Sequence, residues 1–253
     1  MKQTIILWTA ALFITLLAGY TKNVTGPEFP VSGTIGIDGK KVTYYFEKII
    51  RDSSSFKISI RCDIDSVKGI VLFSKVNSNN SWDTILLSNQ NRLLVGEIPY
   101  PGPLKKIFYK VELEKNGKKY FIPTKKEEEI IFMGKVPITM KVLLFITFFF
   151  GLLLSVRTGL EYFNEHPHTK KLTLFTIIPF ALYGFFVFPV YKTFELNMVG
   201  SQFANPIELF TIGSFSYFLI WTLFGVIIFR SANPKTWGLV TSLITLILSI
   251  ILH

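Results

Sequence analysis

The densest grouping of residues able to bind a metal or move a proton runs from Glu161 to His168, Glu-Tyr-Phe-Asn-Glu-His-Pro-His. Carboxylates and imidazoles are ligand types for zinc and related divalent ions, but such an ion wants three or four converging donors. Pro167 holds the chain between His166 and His168 extended or turned. No further His or Cys stands nearby, so the stretch is expected to be a polar loop and not a metal site. Just upstream, Arg157 and Glu161 are spaced i, i+4 and can pair on one helical face. Cys62 is the only cysteine, which excludes an intramolecular disulfide, C-x-x-C chemistry and a thiol oxidoreductase. The sequence contains no G-x-S-x-G, H-E-x-x-H or phosphate-binding-loop pattern. No catalytic residue, cofactor ligand or metal ligand is assigned, and a non-enzymatic role is expected.

The element that must carry Arg157 and Glu161 is the stretch Val136 to Phe163. Its apolar run from Ile138 to Val156 is interrupted only by Lys141 and spans roughly 28 Å as a helix, about the thickness of a bilayer core. Lys141 lies near enough to the end to snorkel to the headgroups. The 253 residues are 49% hydrophobic, with a mean hydropathy of +0.42, yet 17% are charged. A water-soluble part and a membrane part must therefore be segregated along the chain. The formal net charge of +10 raises nucleic-acid binding as a question. The cations are interleaved with acids or sit at helix ends, so a solvated surface and topology-setting charges are expected, with no nucleic-acid partner.

Residues 1–20 have the layout of a secretory signal: Lys2, an apolar run from Ile5 to Leu17, then Ala18-Gly19. Leu17-Ala18-Gly19 resembles a lipobox ending, but Tyr20 stands where lipidation needs Cys. The segment is expected to be a cleaved signal peptide or, because Leu16 or Leu17 occupies a position where a small residue is preferred, a short uncleaved anchor. Either form exports the next segment of the chain. An exported domain without disulfides is more typical of bacteria than of a eukaryotic secreted protein.

Residues 21–135 carry period-two patterning. From Phe56 to Ile64 apolar and polar residues alternate without a break, the pattern of an antiparallel strand with one wet face. That phase turns Cys62 inward with Ile58 and Ile60, as a small buried hydrophobe. Further strands are expected at Val42 to Ile50, Gly69 to Val76, Asp83 to Leu87, Arg92 to Ile98, Lys106 to Glu114, Lys119 to Pro123 and Glu129 to Met133. Asp38-Gly39, Asn77 to Asn80, Pro101-Gly102-Pro103 and Asn116-Gly117 are turn signals between them. Seven or eight short strands without helical periodicity predict a two-sheet sandwich.

The order Val71-x-Phe73, Trp82, Leu94-x-Gly96-x-Ile98-Pro99, Pro101-Gly102, Phe108-Tyr109-x-Val111, Asn116-Gly117 and Pro123 resembles the second half of immunoglobulin-like or fibronectin type III-like modules of bacterial exported proteins. The likeness covers about 55 residues. It implies an immunoglobulin-like sandwich and no particular ligand.

Residues 136–253 are expected to form a membrane domain of four helices, at about 138–156, 172–191, 207–229 and 236–252. Pro179 and Pro189 should kink the second. Arg157, Lys170, Lys171, Arg230 and Lys235 fall in the two loops on one side, against Lys192 alone in the opposite loop. The positive-inside rule then puts those loops in the cytoplasm and the β domain and C-terminus outside, in agreement with the export signal. From Leu172 to Leu252 no ionisable residue lies within a span, apart from Glu208 at an interface, so nothing marks an ion-coupled path. Thr176, Thr211, Ser214, Ser216, Thr222, Thr241, Ser242 and Thr245 are expected to pack helices together, with Gly213 and Gly225 as close-approach points.

Arg157-Thr158-Gly159-Leu160-Glu161 with its preceding apolar run is similar to uncharacterised bacterial membrane proteins that join an exported β module to a few transmembrane helices. The resemblance implies no activity. The chain is thus expected to be a bacterial inner-membrane interaction, assembly or accessory subunit. Its expected partners are the lipid bilayer and an extracytoplasmic or intramembrane protein. Exposed Tyr100 and the pair Tyr44-Tyr45 are candidate contacts, although strand packing explains them as well. A small transporter or channel component is the alternative, and a membrane-embedded enzyme a third.

Overall fold

A computed structural model describes residues 2–26, 28–51, 54–64, 66–75, 81–102, 104–123, 127–197 and 209–252. The turn expected at Asn77 to Asn80, Glu208 and most of the loop before it, and His253 lie outside the described residues. The chain divides into two compact units. One comprises Glu28–Lys135 and Glu195–Asn197; the other comprises Met1–Pro27, Val136–Phe194 and Met198–His253.

The described residues of the first unit form eleven strands in two sheets. Sheet A has the order β1 (Val31–Ile37), β2 (Lys40–Phe46), β4 (Phe56–Cys62), β8 (Leu93–Ile98), β7 (Ser88–Gln90). Sheet B has the order β3 (Ile49–Ile50), β11 (Glu128–Phe132), β9 (Lys106–Lys115), β5 (Lys68–Lys75), β6 (Asp83–Leu86), with β10 (Lys118–Ile122) also on β9. Neighbours are antiparallel except the short β3–β11 pair. β5 occupies one edge of β9, while β10 and β11 share the other, opposite Val111 to Lys115 and Lys106 to Tyr109 respectively. The alternation read in Phe56 to Cys62 holds residue by residue, buried against exposed. Phe46 and Phe56 from sheet A meet Tyr109 of sheet B edge-on, ring centroids 5.7 and 5.3 Å apart. The sheets therefore face each other over one apolar core, a sandwich-like arrangement.

Several strand boundaries differ from the expected ones. Val42 to Ile50 is two strands in different sheets, because the charged Glu47-Lys48 pair ends β2 where the chain crosses over. β1 and β7 appear in addition to the expected strands. At the inner face of β1, position 33 is glycine, and the Tyr44 ring lies over it, where a Cβ would come within 2.5 Å of the hydroxyl. Leu87, between β6 and β7, likewise fills the space over Gly69 and Gly96. Asp38-Gly39 and Asn116-Gly117 close two-residue hairpins with positive φ at both positions, as their sequence demands. Tyr100 is partly buried against Phe132, centroids 5.6 Å apart, and not an exposed contact; Tyr44 is buried on Phe46, and Tyr45 alone of the pair is exposed.

The second unit is helical: α1 (Lys2–Thr25), α2 (Ile138–Leu160), α3 (Thr169–Ala181), α4 (Phe188–Glu195), α5 (Ile212–Arg230) and α6 (Pro234–Ile251). A wide π-helical segment, Leu182–Val187, joins α3 to α4, so Thr169–Glu195 runs as one span. The irregularity lies between Pro179 and Pro189, each of which removes an amide donor from the ladder. Among the described residues five helices are long and apolar enough to cross a membrane, the N-terminal segment being one of them. Their outward residues are large and apolar, Phe145, Phe186 and Leu223 among them, as lipid contact requires and water does not. Phe180, Tyr183, Tyr217, Trp221 and Ile228 fill the interior. Trp221 Nε1 donates to Thr245 Oγ1 at 2.9 Å, and Tyr217 Oη to the Leu248 carbonyl at 3.3 Å.

The close approaches fall on other glycines than Gly213 and Gly225, whose neighbours stand at ordinary contact distance or further. A Cβ on Gly159 would lie 2.5 Å from Ser242 Cβ, one on Gly238 2.8 Å from Thr169 Cγ2, and one on Gly151 2.7 Å from the Phe180 ring. These contacts draw α2 against α3 and α6 through small residues, where dispersion and not hydrophobic burial drives packing.

Burial raises the pKa of the Cys62 thiol, and burial next to Glu128 raises that of the Tyr109 phenol. In the native chain Cys62 should react with maleimide about a hundredfold more slowly than after unfolding. Both groups hold their protons longer folded than unfolded, so their contribution to stability is complete below the unfolded values of 9.0 and 10.0 and declines as pH rises beyond them. Tyrosinate absorbance and unfolding midpoints recorded across that range check the sign. Gly159→Leu should cost about 1–3 kcal/mol by overpacking the α2–α6 contact, read from thermal unfolding in detergent, whereas Gly213→Ala should cost far less.

Candidate functional site

The most concentrated chemistry in the helical unit sits at the C-terminal end of α2. Arg157 occupies its last turn, where a cation complements the partial negative charge of the helix end. A carboxylate one turn later opposes that charge and must find donors elsewhere. Glu161 opens a 3-10 turn, Glu161–Phe163, and is 1% exposed; Arg157 is 3% exposed. Arg157 Nη1 donates to Glu161 Oε1, the i, i+4 pairing expected from their spacing.

The loop after this turn supplies the remaining donors. Asn164 Nδ2 reaches Glu161 Oε2 at 3.0 Å, and the His168 backbone N–H reaches the same oxygen at 2.5 Å. Asn164 Oδ1 accepts from the His166 amide at 3.3 Å, and its carbonyl accepts from Lys235 Nζ at 2.6 Å. His168 Nδ1 lies 2.9 Å from the His166 carbonyl, which can only accept, so Nδ1 carries the proton. The loop is thus wrapped around one buried carboxylate and tied to the start of α6.

Glu161 is committed to Arg157, Asn164 and the His168 amide, and Glu165, His166 and His168 are exposed. Among the described residues no group of three or more His, Cys, Asp or Glu side chains is placed to hold an ion. Cys62 lies in the other unit, buried in the apolar core.

α1 supplies a wall of the site. The Trp8 ring centroid stands 5.4 Å from Arg157 Cζ, and Gln3 Nε2 donates to the Phe163 carbonyl at 3.0 Å. The Arg157 cation thereby gains an aromatic face as well as a carboxylate. Arg157 Nε has no hydrogen-bond partner among the described residues. The Arg157 residue borders a cavity of about 360 Å³ between α1, α2, the loop and α3, lined also by Trp8, Glu161, Asn164, Lys171, Leu172 and Phe175. The spacing of Arg157 and Glu161 is readable in the sequence, and Asn164 three residues on is a legible candidate. Trp8, Gln3 and Lys235 are brought in by tertiary packing and carry no local signal.

No family model, curated protein or solved structure matches the sequence.

A buried ion pair tolerates loss of both partners better than loss of one. Glu161→Gln leaves Arg157 charged without its counter-ion and should cost about 3–5 kcal/mol of stability, seen in chemical denaturation in detergent. The double variant Arg157→Met, Glu161→Gln should recover most of that loss. A double variant no more stable than the single would show that the pair is not what holds this turn.

Proposed function

We propose that the chain is a non-catalytic subunit of a bacterial inner membrane, an interaction, assembly or accessory component that offers an immunoglobulin-like sandwich to a protein partner on the extracytoplasmic side. The β order around Tyr109 and its resemblance to immunoglobulin-like and fibronectin type III-like modules support the sandwich assignment. The cationic loops around Lys170, Lys171, Arg230 and Lys235 support a cytoplasmic position for that end of the helices. α1 is assigned as a retained anchor in addition to the four later helices. Its inward positions Leu7, Ala11, Thr15 and Ala18 are buried at helical spacing, which a segment removed after export does not require.

The observation that carries the functional reading is a surface groove on the β unit, against a helical unit whose centre is packed with aromatic rings. The interior of the helical unit is occupied by Trp221, Tyr217 and Phe180, each at most 2% exposed. The β unit bears a groove of about 460 Å³ bordered by Tyr45, Glu47, Lys57 and Ser59 of β2, β4 and the turn after β2, with Ile50, Arg51 and Phe56 where the chain passes between the sheets. Tyr45 is 60% exposed there, an amphipathic ring of the kind that anchors protein interfaces. The alternative, a small transporter or channel component, draws on the buried Arg157–Glu161 pair, since ionisable groups held in membrane helices often line ion or solute paths.

Purification of the full chain from its native membranes in mild detergent tests the reading. A protein partner should be retained. Tyr45→Ala with Lys57→Glu should weaken its binding by about 2 kcal/mol, roughly thirtyfold in Kd, with the chain's own abundance unchanged. Solute flux in liposomes that substitutions in α5 abolish, with no retained partner, would establish the alternative instead.

A further inference from the structure

The cavity beside Arg157 has two chemically different walls. One is cationic: Arg157, 3% exposed and with Nε lacking a hydrogen-bond partner among the described residues, together with Lys171. Glu161, also on the lining, neutralises Arg157 through Nη1 and is otherwise held by Asn164 and the His168 amide, so Lys171 leaves the lining with one positive charge in excess, which attracts an anion. The other wall is apolar, formed by Trp8, Leu172 and Phe175; Phe175 is 47% exposed on the outward side of α3. A volume of about 360 Å³ lies at the lower end of the range for small-molecule sites and far exceeds the ~30 Å³ share of one water.

An anion-sized attraction next to a hydrocarbon-facing aromatic wall, at the end of a membrane helix, calls for an amphiphile. We infer that this cavity binds the phosphate group of an anionic phospholipid, with Arg157 and Lys171 on the phosphate and Trp8, Leu172 and Phe175 along the glycerol and upper chains. The guanidinium is suited to phosphate oxygens through its planar fork, and the Lys171 ammonium adds a point charge. The site belongs wholly to the helical unit and does not depend on what the groove of the β unit binds.

The test is native mass spectrometry of the full chain released from lipid nanodiscs containing phosphatidylglycerol, phosphatidylcholine or both, with inorganic phosphate added in a parallel arm. Phosphatidylglycerol should be retained about tenfold more than phosphatidylcholine. Lys171→Gln, which leaves the buried pair intact, should reduce that preference about threefold. Arg157→Lys, which keeps a charge opposite Glu161 but loses the fork, should reduce it about tenfold in the fraction that remains folded, a larger loss than Lys171→Gln gives. Equal retention of the two lipids overturns the proposal. So does an equal loss of preference in Lys141→Gln, at the far end of α2, since that would indicate general surface attraction. Binding of inorganic phosphate that depends on Arg157 and Lys171, with no preference between lipids, overturns the lipid assignment.

Discussion

A charge taken out of water must be met by another charge or by several hydrogen bonds, and the end of α2 is organised by that requirement. Arg157 and Glu161 are both almost fully buried, and Glu161 stands where the helix end repels it. Satisfying the carboxylate recruits Asn164 and the His168 amide, which sets the path of the loop into α3. The same loop offers its Asn164 carbonyl to Lys235, which positions the start of α6. Satisfying the guanidinium recruits Trp8 from α1. One ion pair therefore determines how four helices meet at this end of the unit, and Arg157 Nε is the donor left over.

Elsewhere both units use absence of a side chain in the same way. Gly33 is covered by the Tyr44 ring, Gly69 and Gly96 by Leu87, Gly151 by the Phe180 ring, and Gly159 by Ser242. In the sandwich this lets a large side chain from the neighbouring strand or corner complete an inner face that the local strand leaves empty. In the helical unit it lets backbones approach where no hydrophobic effect pulls them together. The consequence for dynamics is a set of tight, non-interchangeable contacts in which added volume has nowhere to go.

These devices also explain which features the chain announces and which it hides. Phe56 to Cys62 is legible because every inward position carries its own apolar side chain. Asn116-Gly117 is legible because its residues suit the backbone the turn needs, whereas Asn91-Arg92 closes the β7–β8 hairpin with positive φ at an arginine and gives no such signal. β1 escapes the period-two pattern because two of its seven positions are glycines and its inner face at Gly33 belongs to Tyr44. The pairing of Arg157 with Glu161 is legible from spacing alone, but their burial is not, because burial depends on α1 and on a loop of polar residues. Gly159, between Arg157 and Glu161, is a close-approach point, a role the sequence suggests for Gly213 and Gly225 instead.

The same packing bears on whether α1 is a transient signal or a lasting part of the molecule. A signal sequence needs a cationic start, an apolar run and a cleavable end; it has no need of one face of small residues. α1 has such a face, Ala11, Thr15 and Ala18 below Leu7, and its early turns place Trp8 beside Arg157 and Gln3 at the Phe163 carbonyl. Removing the helix would strip the aromatic wall from a buried cation that Glu161 alone would then face. The proposal that α1 is retained therefore rests on the same constraint that shapes the loop, the need to keep one buried arginine compensated.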